Sequence, residues 1–406
     1  MAEILKLARE LLAELELCDF CLGRQFAQLG HGLSNRDRGR AIRILLSLEE
    51  DKPFAEPGYC QLCLGHLLRV EEWAKRALAA VEGLEFKSFL VGSHLPEFLV
   101  EQERALQERY HLEHGGRLNH DLNREVGKLL EAALAGRAEV DLQNPEVTIL
   151  LDLVWDRVEV KLSPLFISGR YRKLIRGIPQ THWPCRACRG KGCERCGFTG
   201  KRYPESVEEL ISPPFLEASQ GRAAVFHGSG REDIDARMLG EGRPFVLEIR
   251  EPRVRRLDLA ALEREVNARA KGKVEVQGLA FTTRGEVERL KAARAGKLYR
   301  ARVEFARPVS EEEFERALRG LVGPISQRTP KRVVHRRADL IRTRRVWEVE
   351  GELSDPQSAT IEVRCDGGLY VKELLSGDEG RTTPSLAELL GCPVKVIELD
   401  VLEVEG

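Results

Sequence analysis

Two groups of residues in this chain have types and spacings suited to chemistry. In GSGREDIDARMLGEG, residues 228–242, the acids Asp233 and Asp235 stand in a turn framed by Gly228, Gly230, Gly240 and Gly242, with Arg231 beside them. A carboxylate so framed can meet a large ligand closely, as a nucleophile or as a proton acceptor. The second group is cysteine: eight of the 10 cysteines stand in C-x2-C pairs, Cys18 with Cys21, Cys60 with Cys63, Cys185 with Cys188, and Cys193 with Cys196. Each pair can offer two thiolates to one tetrahedral ion at ~2.3 Å, and two pairs close the coordination sphere with no position left for a reacting water. Structural Zn2+ is therefore expected, as one ion or two, since an ion shared between the sets stays open at this level. Disulfides are the competing reading, disfavoured in an intracellular chain. Cys365 and Cys392 stand alone and read as small buried groups.

Charge narrows the ligand class. The net charge of the 406-residue chain is only -1, yet residues 168–202 hold ten Lys/Arg against Glu194, and residues 327–345 hold eight against Asp339. Such local excess points to a polyanion, most simply nucleic acid. In the first stretch Arg170, Arg172, Lys173 and Arg176 surround Tyr171, a pattern suited to phosphate contact and base stacking. The loop CRACRGKGCERCGFTGK, residues 185–201, reads as a metal-pinned basic loop able to touch phosphates, and it resembles locally the cysteine-rich repeats of DnaJ chaperones. No P-loop, GxSxG elbow, HExxH helix or strand-linked GxGxxG occurs, which removes the usual handles of phosphoryl transfer, hydrolysis and nucleotide cofactors. No apolar run reaches membrane-spanning length and the N-terminus lacks a signal-peptide core, so a cytoplasmic location without membrane contact is expected.

Several elements must position these groups. The first 17 residues and RAIRILLSLEED have helical spacing and bracket the first cysteine pairs. EEWAKRALAAVEGL reads as a helix, FKSFLVGSHLP as a strand, RLNHDLNREVGKLLEAALAG as a helix, and the run from Val147 as two strands joined around residues 155–157. Strands and helices alternate without a parallel βαβ fingerprint. A Gly/Pro-rich junction is expected over 200–214, followed by β-like runs that include GRPFVLEIRE, YRARVEFARPV, ATIEVRCDGGLYVKEL and VKVIELDVLEVE, and by three helix-like segments. An α+β protein with a mixed or antiparallel sheet follows.

Two resemblances sharpen this. VGSHLP, LNREVGKLL and PLFISGRYRKLIRGIPQT resemble a THUMP domain, an RNA-binding fold of tRNA-modifying enzymes. GREDIDARMLGEGRPF, GKLYRA, QRTPKRVVHRRAD, GGLYVKELLSGDEGRTTPSL and CDFCLGRQFA resemble, in order and nearly end to end, the archaeal and eukaryotic tRNA pseudouridine synthases acting on uridines 54 and 55 of the TΨC arm. The second resemblance implies a mixed or antiparallel-sheet catalytic domain over 206–406. Ahead of it are expected a zinc-binding helical module over 1–67, a THUMP-like α+β RNA-binding domain over 68–182 and a basic zinc loop with four cysteines over 183–205.

By the same resemblance Asp233 is the catalytic aspartate, with Asp235 its rival on sequence alone. Tyr299 stacks on the target base, and Lys372 pairs with the aspartate. Leu374 or Leu375 supplies an apolar wall, while Arg332, His335 and Arg336 line the cleft or meet the RNA backbone. The partner implied is tRNA, with no obligate protein partner. Turning uridine into its C-glycoside breaks the N1–C1′ bond and joins C5 to C1′ without net redox change or hydrolysis, so no organic cofactor is required. A non-catalytic tRNA-binding or tRNA-folding protein is the alternative that uses the same surfaces for grip alone.

Overall fold

The computed structural model describes residues 2–293 and 295–405, with the Arg336 side chain outside the described set. Contacts divide the chain into two units, residues 1–163 with 253–255, and residues 164–252 with 256–406.

In the first unit the expected helices form over Ala2–Glu14, Asn35–Glu49, Val70–Ala80 and Leu118–Ala133. One core runs through them, from Ala8 and Leu11 past Cys18, Cys21, Cys60 and Cys63 to Trp73, Phe89 and Ile149. The cysteine module expected over 1–67 therefore shares its core with the segment that follows. Strand Ser88–His94 pairs in parallel with both Glu139–Val140 and Val147–Asp152, and only Arg157–Leu162 runs antiparallel. The parallel pairing departs from the sequence expectation. Helices Glu97–Arg109 and Leu118–Ala133 lie between the first two strands in sequence and carry the chain back to the starting end, which a parallel neighbour requires. No helix among the described residues is long and apolar enough to cross a membrane.

The second unit is built on a 10-stranded mixed sheet. Its strands obey the two-residue period: in Lys297–Phe305, Ala301, Val303 and Phe305 point inward while Arg300, Arg302 and Glu304 face out. Helix Glu311–Leu321 buries Phe314, Ala317, Leu318 and Leu321, an i, i+3, i+4, i+7 stripe, and starts at a Ser310/Glu313 capping box. Strand Leu165–Lys173 pairs with Arg237–Arg250 and Val274–Thr282 inside this sheet. Residues 164–182, expected to close the THUMP-like domain, thus belong with the second unit, because their backbone hydrogen bonds are satisfied there. Two further local expectations change. The Gly/Pro-rich junction is in part a helix, Val207–Ser219, which Ser206 caps and which contains Pro213 and Pro214. The run ATIEVRCDGGLYVKEL is a strand only to Cys365, and Val371–Ser376 is a helix.

Candidate active site

The turn that carries Asp233 lies between strands Ala223–Gly228 and Arg237–Arg250. It closes with the Ala236 amide donating to the Asp233 carbonyl at 3.0 Å. The neighbouring strand and the loop after it clamp its backbone. Lys173 Nζ donates to the carbonyls of Asp233 at 3.1 Å and Ile234 at 3.3 Å, the Gly177 amide donates to Ile234 at 2.9 Å, and Arg176 donates to the Asp235 carbonyl at 2.9 Å. Beneath the turn, the Glu232 side chain is fully buried and accepts from Arg243 Nε at 2.9 Å and from the Tyr171 hydroxyl at 2.9 Å, with Lys173 Nζ 3.6 Å away. Burial lowers the Lys173 pKa, an effect that Glu232 opposes. Buried charges persist only when paired in this way.

This network revises the expected roles of RYRKLIR. Tyr171 and Lys173 are 0% exposed and cannot meet RNA. Arg170 donates to the carbonyls of Glu241, Gly242 and Val404, and Arg176 also donates to Leu399 and pairs with Asp400. Arg172 remains half exposed, paired with Glu275. The segment reads as basic in sequence, but its charges are spent on backbone carbonyls and acids of the same sheet. Gly240, at φ +56, lies so close to the Leu402 carbonyl that a Cβ would stand 2.0 Å from it, so this glycine serves strand packing rather than ligand approach.

Above the turn is a cavity of about 670 Å³ lined by Asp233, Tyr299, Lys372, Arg332, His335 and Arg231 among others. The Asp233 side chain is 33% exposed, its Oδ1 receiving Arg332 Nη1 at 3.0 Å. Arg332 is held in turn by Glu373, Nε to Oε1 2.6 Å. Burial raises the Glu373 pKa even against the Arg332 charge; the carboxylate is buried while the arginine stays partly exposed. Lys372 Nζ lies 3.6 Å from Asp233 Oδ2 but 2.6 Å from Asp235 Oδ2. Burial works against ionised Asp235, yet the Lys372 hydrogen bond holds its carboxyl below the usual range. The closest cation to Asp233 is therefore the arginine of the basic segment, with the expected lysine second.

Tyr299 stands on strand Lys297–Phe305, opposite Val363 and Val401, and burial pushes its hydroxyl pKa up. A phenol so placed stays neutral and offers its ring. Two residues earlier on the same strand, Lys297 also lines the cavity, and its amine makes no hydrogen bond or ion pair among the described residues. Burial, then the Arg243 charge, lowers its pKa to about 8. Leu374 and Leu375 are both 0% exposed in the core and do not line the cavity. The apolar wall is supplied by Ile234, Leu369, Val371, Leu399 and Val401. His335 is exposed at the rim, and the Arg336 side chain lies outside the described residues. Sequence reasoning missed Lys297 and Glu373. Lys297 had one available signal, its two-residue spacing from Tyr299, which places both side chains on one face of a strand.

Each cysteine set closes on itself. The four sulfurs of Cys18, Cys21, Cys60 and Cys63 lie within 4.8 Å of one another, and so do those of Cys185, Cys188, Cys193 and Cys196. Observed S···S distances are 3.9 Å for Cys18–Cys63 and 3.7 Å for Cys193–Cys196, near the ~3.8 Å that tetrahedral Zn–S bonds of ~2.3 Å require. Backbone amides point at sulfur, Cys21 to Cys18 at 3.4 Å and Gly200 to Cys196 at 3.2 Å, as thiolates need. Both donor sets fit zinc. Cys365 and Cys392 are buried in the core, as expected.

The family model described as "Pus10, C-terminal" matches residues 166–405, and that described as "Pus10 THUMP domain, archaeal" matches residues 73–152. A protein of Methanothrix thermoacetophila named tRNA pseudouridine synthase Pus10 is 47% identical over 432 residues, covering 100% of this chain and 95% of its own. Its namesake in Pyrococcus furiosus is 43% identical over 99% of this chain and 98% of its own. Among solved structures, that of a Cbf5–Nop10–Gar1 complex overlaps 49% of this chain and 45% of its own at TM-score 0.31 and 18% identity. One of a pseudouridylate synthase overlaps 61% of this chain and 69% of its own at TM-score 0.22 and 13% identity.

Proposed function

The chain belongs to the Pus10 family of tRNA pseudouridine synthases, and from that premise we propose that it isomerises uridine 54, uridine 55 or both in the tRNA TΨC arm, with Asp233 as the catalytic carboxylate. The observation that supports the role of Asp233 most is its placement: one partly exposed carboxylate, in a cavity shared with Tyr299, between the Arg332 and Lys372 cations.

A uridine in a folded loop must swing out to reach such a cavity, at a cost of a few kcal/mol of unstacking. The Tyr299 ring replaces the lost stacking. Ile234, Leu369 and Val401 exclude water from the pyrimidine. Asp233, fixed from below by Lys173 and from the side by Arg332, then acts at the nucleoside while N1–C1′ breaks and C5–C1′ forms. The C5 proton leaves and N1 gains one, so the reaction balances without a co-reactant. Cys18, Cys21, Cys60 and Cys63 would hold one structural Zn2+ and the set from Cys185 to Cys196 another, each stabilising its local fold. The basic rim carried by Arg231, His335 and Arg337 supplies salt-dependent grip on phosphates.

The test is an unmodified tRNA transcript incubated with the wild-type protein and with Asp233→Asn, then mapped for pseudouridine by carbodiimide-blocked primer extension. Product at 54 or 55 from the wild type and none from the variant is expected. Full activity in the variant would remove Asp233 from its role, and tight binding without product from either protein would favour the non-catalytic reading.

A further inference from the structure

The cavity has a second wall whose make-up the isomerisation does not use. It comes from the hairpin that carries the second cysteine set. At the hairpin base Pro184 and Lys201 form a β-bridge, the Cys185 amide donates to the Gly200 carbonyl at 2.7 Å, and the Arg202 amide donates to the Trp183 carbonyl at 2.9 Å. This pairing brings Trp183 and Tyr203 together edge to face, with ring centroids 5.8 Å apart. The Arg202 guanidinium lies over both rings, 5.4 Å from the first centroid and 5.3 Å from the second. All three residues line the cavity that holds Asp233.

Arg202 is exposed, and its guanidinium makes no hydrogen bond or ion pair among the described residues. That sets it apart from Arg170 and Arg176, whose donors go to backbone carbonyls, and from Arg332, whose donors go to Glu373 and Asp233. A guanidinium lodged between indole and phenol rings that stand 76° apart, with its donors unspent, presents a cation beside two aromatic faces. Such a cluster suits a nucleobase stacked on an aromatic or guanidinium face and a phosphate oxygen accepting from the unspent guanidinium donors. A packing cluster that served only to hold the hairpin would not require an unpaired cation on its cavity side.

We propose that Trp183, Arg202 and Tyr203 form a stacking subsite for an unpaired nucleobase adjacent in the RNA to the nucleotide held at Asp233. The proposal rests on the reading of this protein as an RNA-modifying enzyme, and it gives the cysteine hairpin a task in the cleft: a metal held by its four cysteines would fix the hairpin that carries the platform. A target base drawn into the cavity leaves its neighbour without a stacking partner on one side, and the platform receives that neighbour.

The experiment measures dissociation constants of the full-length, zinc-loaded protein for T-arm transcripts that carry a single abasic position on either side of the target, using wild type, Trp183→Phe and Trp183→Ala, with pseudouridine mapped in parallel. One flanking abasic site is expected to weaken wild-type binding about ten-fold, and Trp183→Ala to weaken binding of the intact transcript similarly. In the alanine variant the same abasic site should cost nothing further, while Trp183→Phe keeps most of the wild-type affinity. Equal abasic penalties in wild type and Trp183→Ala, or none in either, would overturn the subsite. Should the alanine variant lose its fold, fluorescence decides: the wild-type signal minus that of Trp183→Phe must be quenched when the transcript is added, and an unquenched difference overturns the proposal. The readout is binding, so it stands apart from catalysis. A wild type that binds with the expected pattern but forms no pseudouridine would sink the enzymatic reading and leave the subsite.

Discussion

Lys173 and Asp233 meet through the main chain: the fully buried ammonium donates to the aspartate's own carbonyl at 3.1 Å, leaving the carboxylate free to face the cavity. In the proposed reaction the lysine would touch no reacting atom and act as a positioning residue. Lys173→Met should lower kcat about 10²-fold with little change in KM, because a displaced turn misaligns the carboxylate without altering the rim. It should also cost about 3 kcal/mol of stability, since Glu232 loses one of its cations. Steady-state kinetics with thermal unfolding checks both, and a change confined to stability would contradict the positioning role.

Asp233 and Asp235 share Lys372 but not Arg332. Asp233→Asn should reduce single-turnover rate by at least ~10³-fold. Asp235→Asn should cost far less, about ten-fold, because Lys372 can then turn wholly to Asp233. The reverse ranking would assign the chemistry to Asp235.

Lys297 gives a pH prediction. Its folded-state pKa of about 8 lies below the usual lysine value. The ammonium should aid RNA binding below about pH 8, with affinity falling as pH rises through that value, whereas Lys297→Arg should give a flat profile over the same range. Stability moves the other way. Between about pH 8 and the unfolded lysine pKa the unfolded chain binds more protons, so this group makes stability rise with pH. Lys297→Met should raise the melting temperature at pH 7 and weaken RNA binding. A titration of binding and of Tm against pH in the two variants is the measurement.

Metal removal should proceed in two stages. Cys188, Cys193 and Cys196 are partly exposed, whereas all four cysteines of the first set are buried in a core they share with Trp73 and Phe89. A chelator should therefore strip the hairpin first, opening residues 185–200 to protease and raising KM, and only later unfold the first unit. Zinc release followed by absorbance, alongside limited proteolysis, resolves the stages; a single concerted release would contradict the order.

The sequence by itself determined what depends on short spacing. The C-x2-C pairs assemble as two complete sulfur sets, the alternating runs became strands, and the glycine-framed acids of residues 228–242 came to lie at a cavity. Tertiary structure alone decided which charges are spent inside the protein. Tyr171 and Lys173, which look like an RNA-binding loop, are buried under the turn that carries Asp233, and Leu374 sits in the core while Val401 lines the cavity. The nearest cation to Asp233 comes from Arg332, 99 positions away. Residue type and local period report a side chain's chemistry and its face of a strand. Whether a charge meets water, a carbonyl or an acid depends on which distant strand packs against it, and that partner is chosen only when the sheet closes.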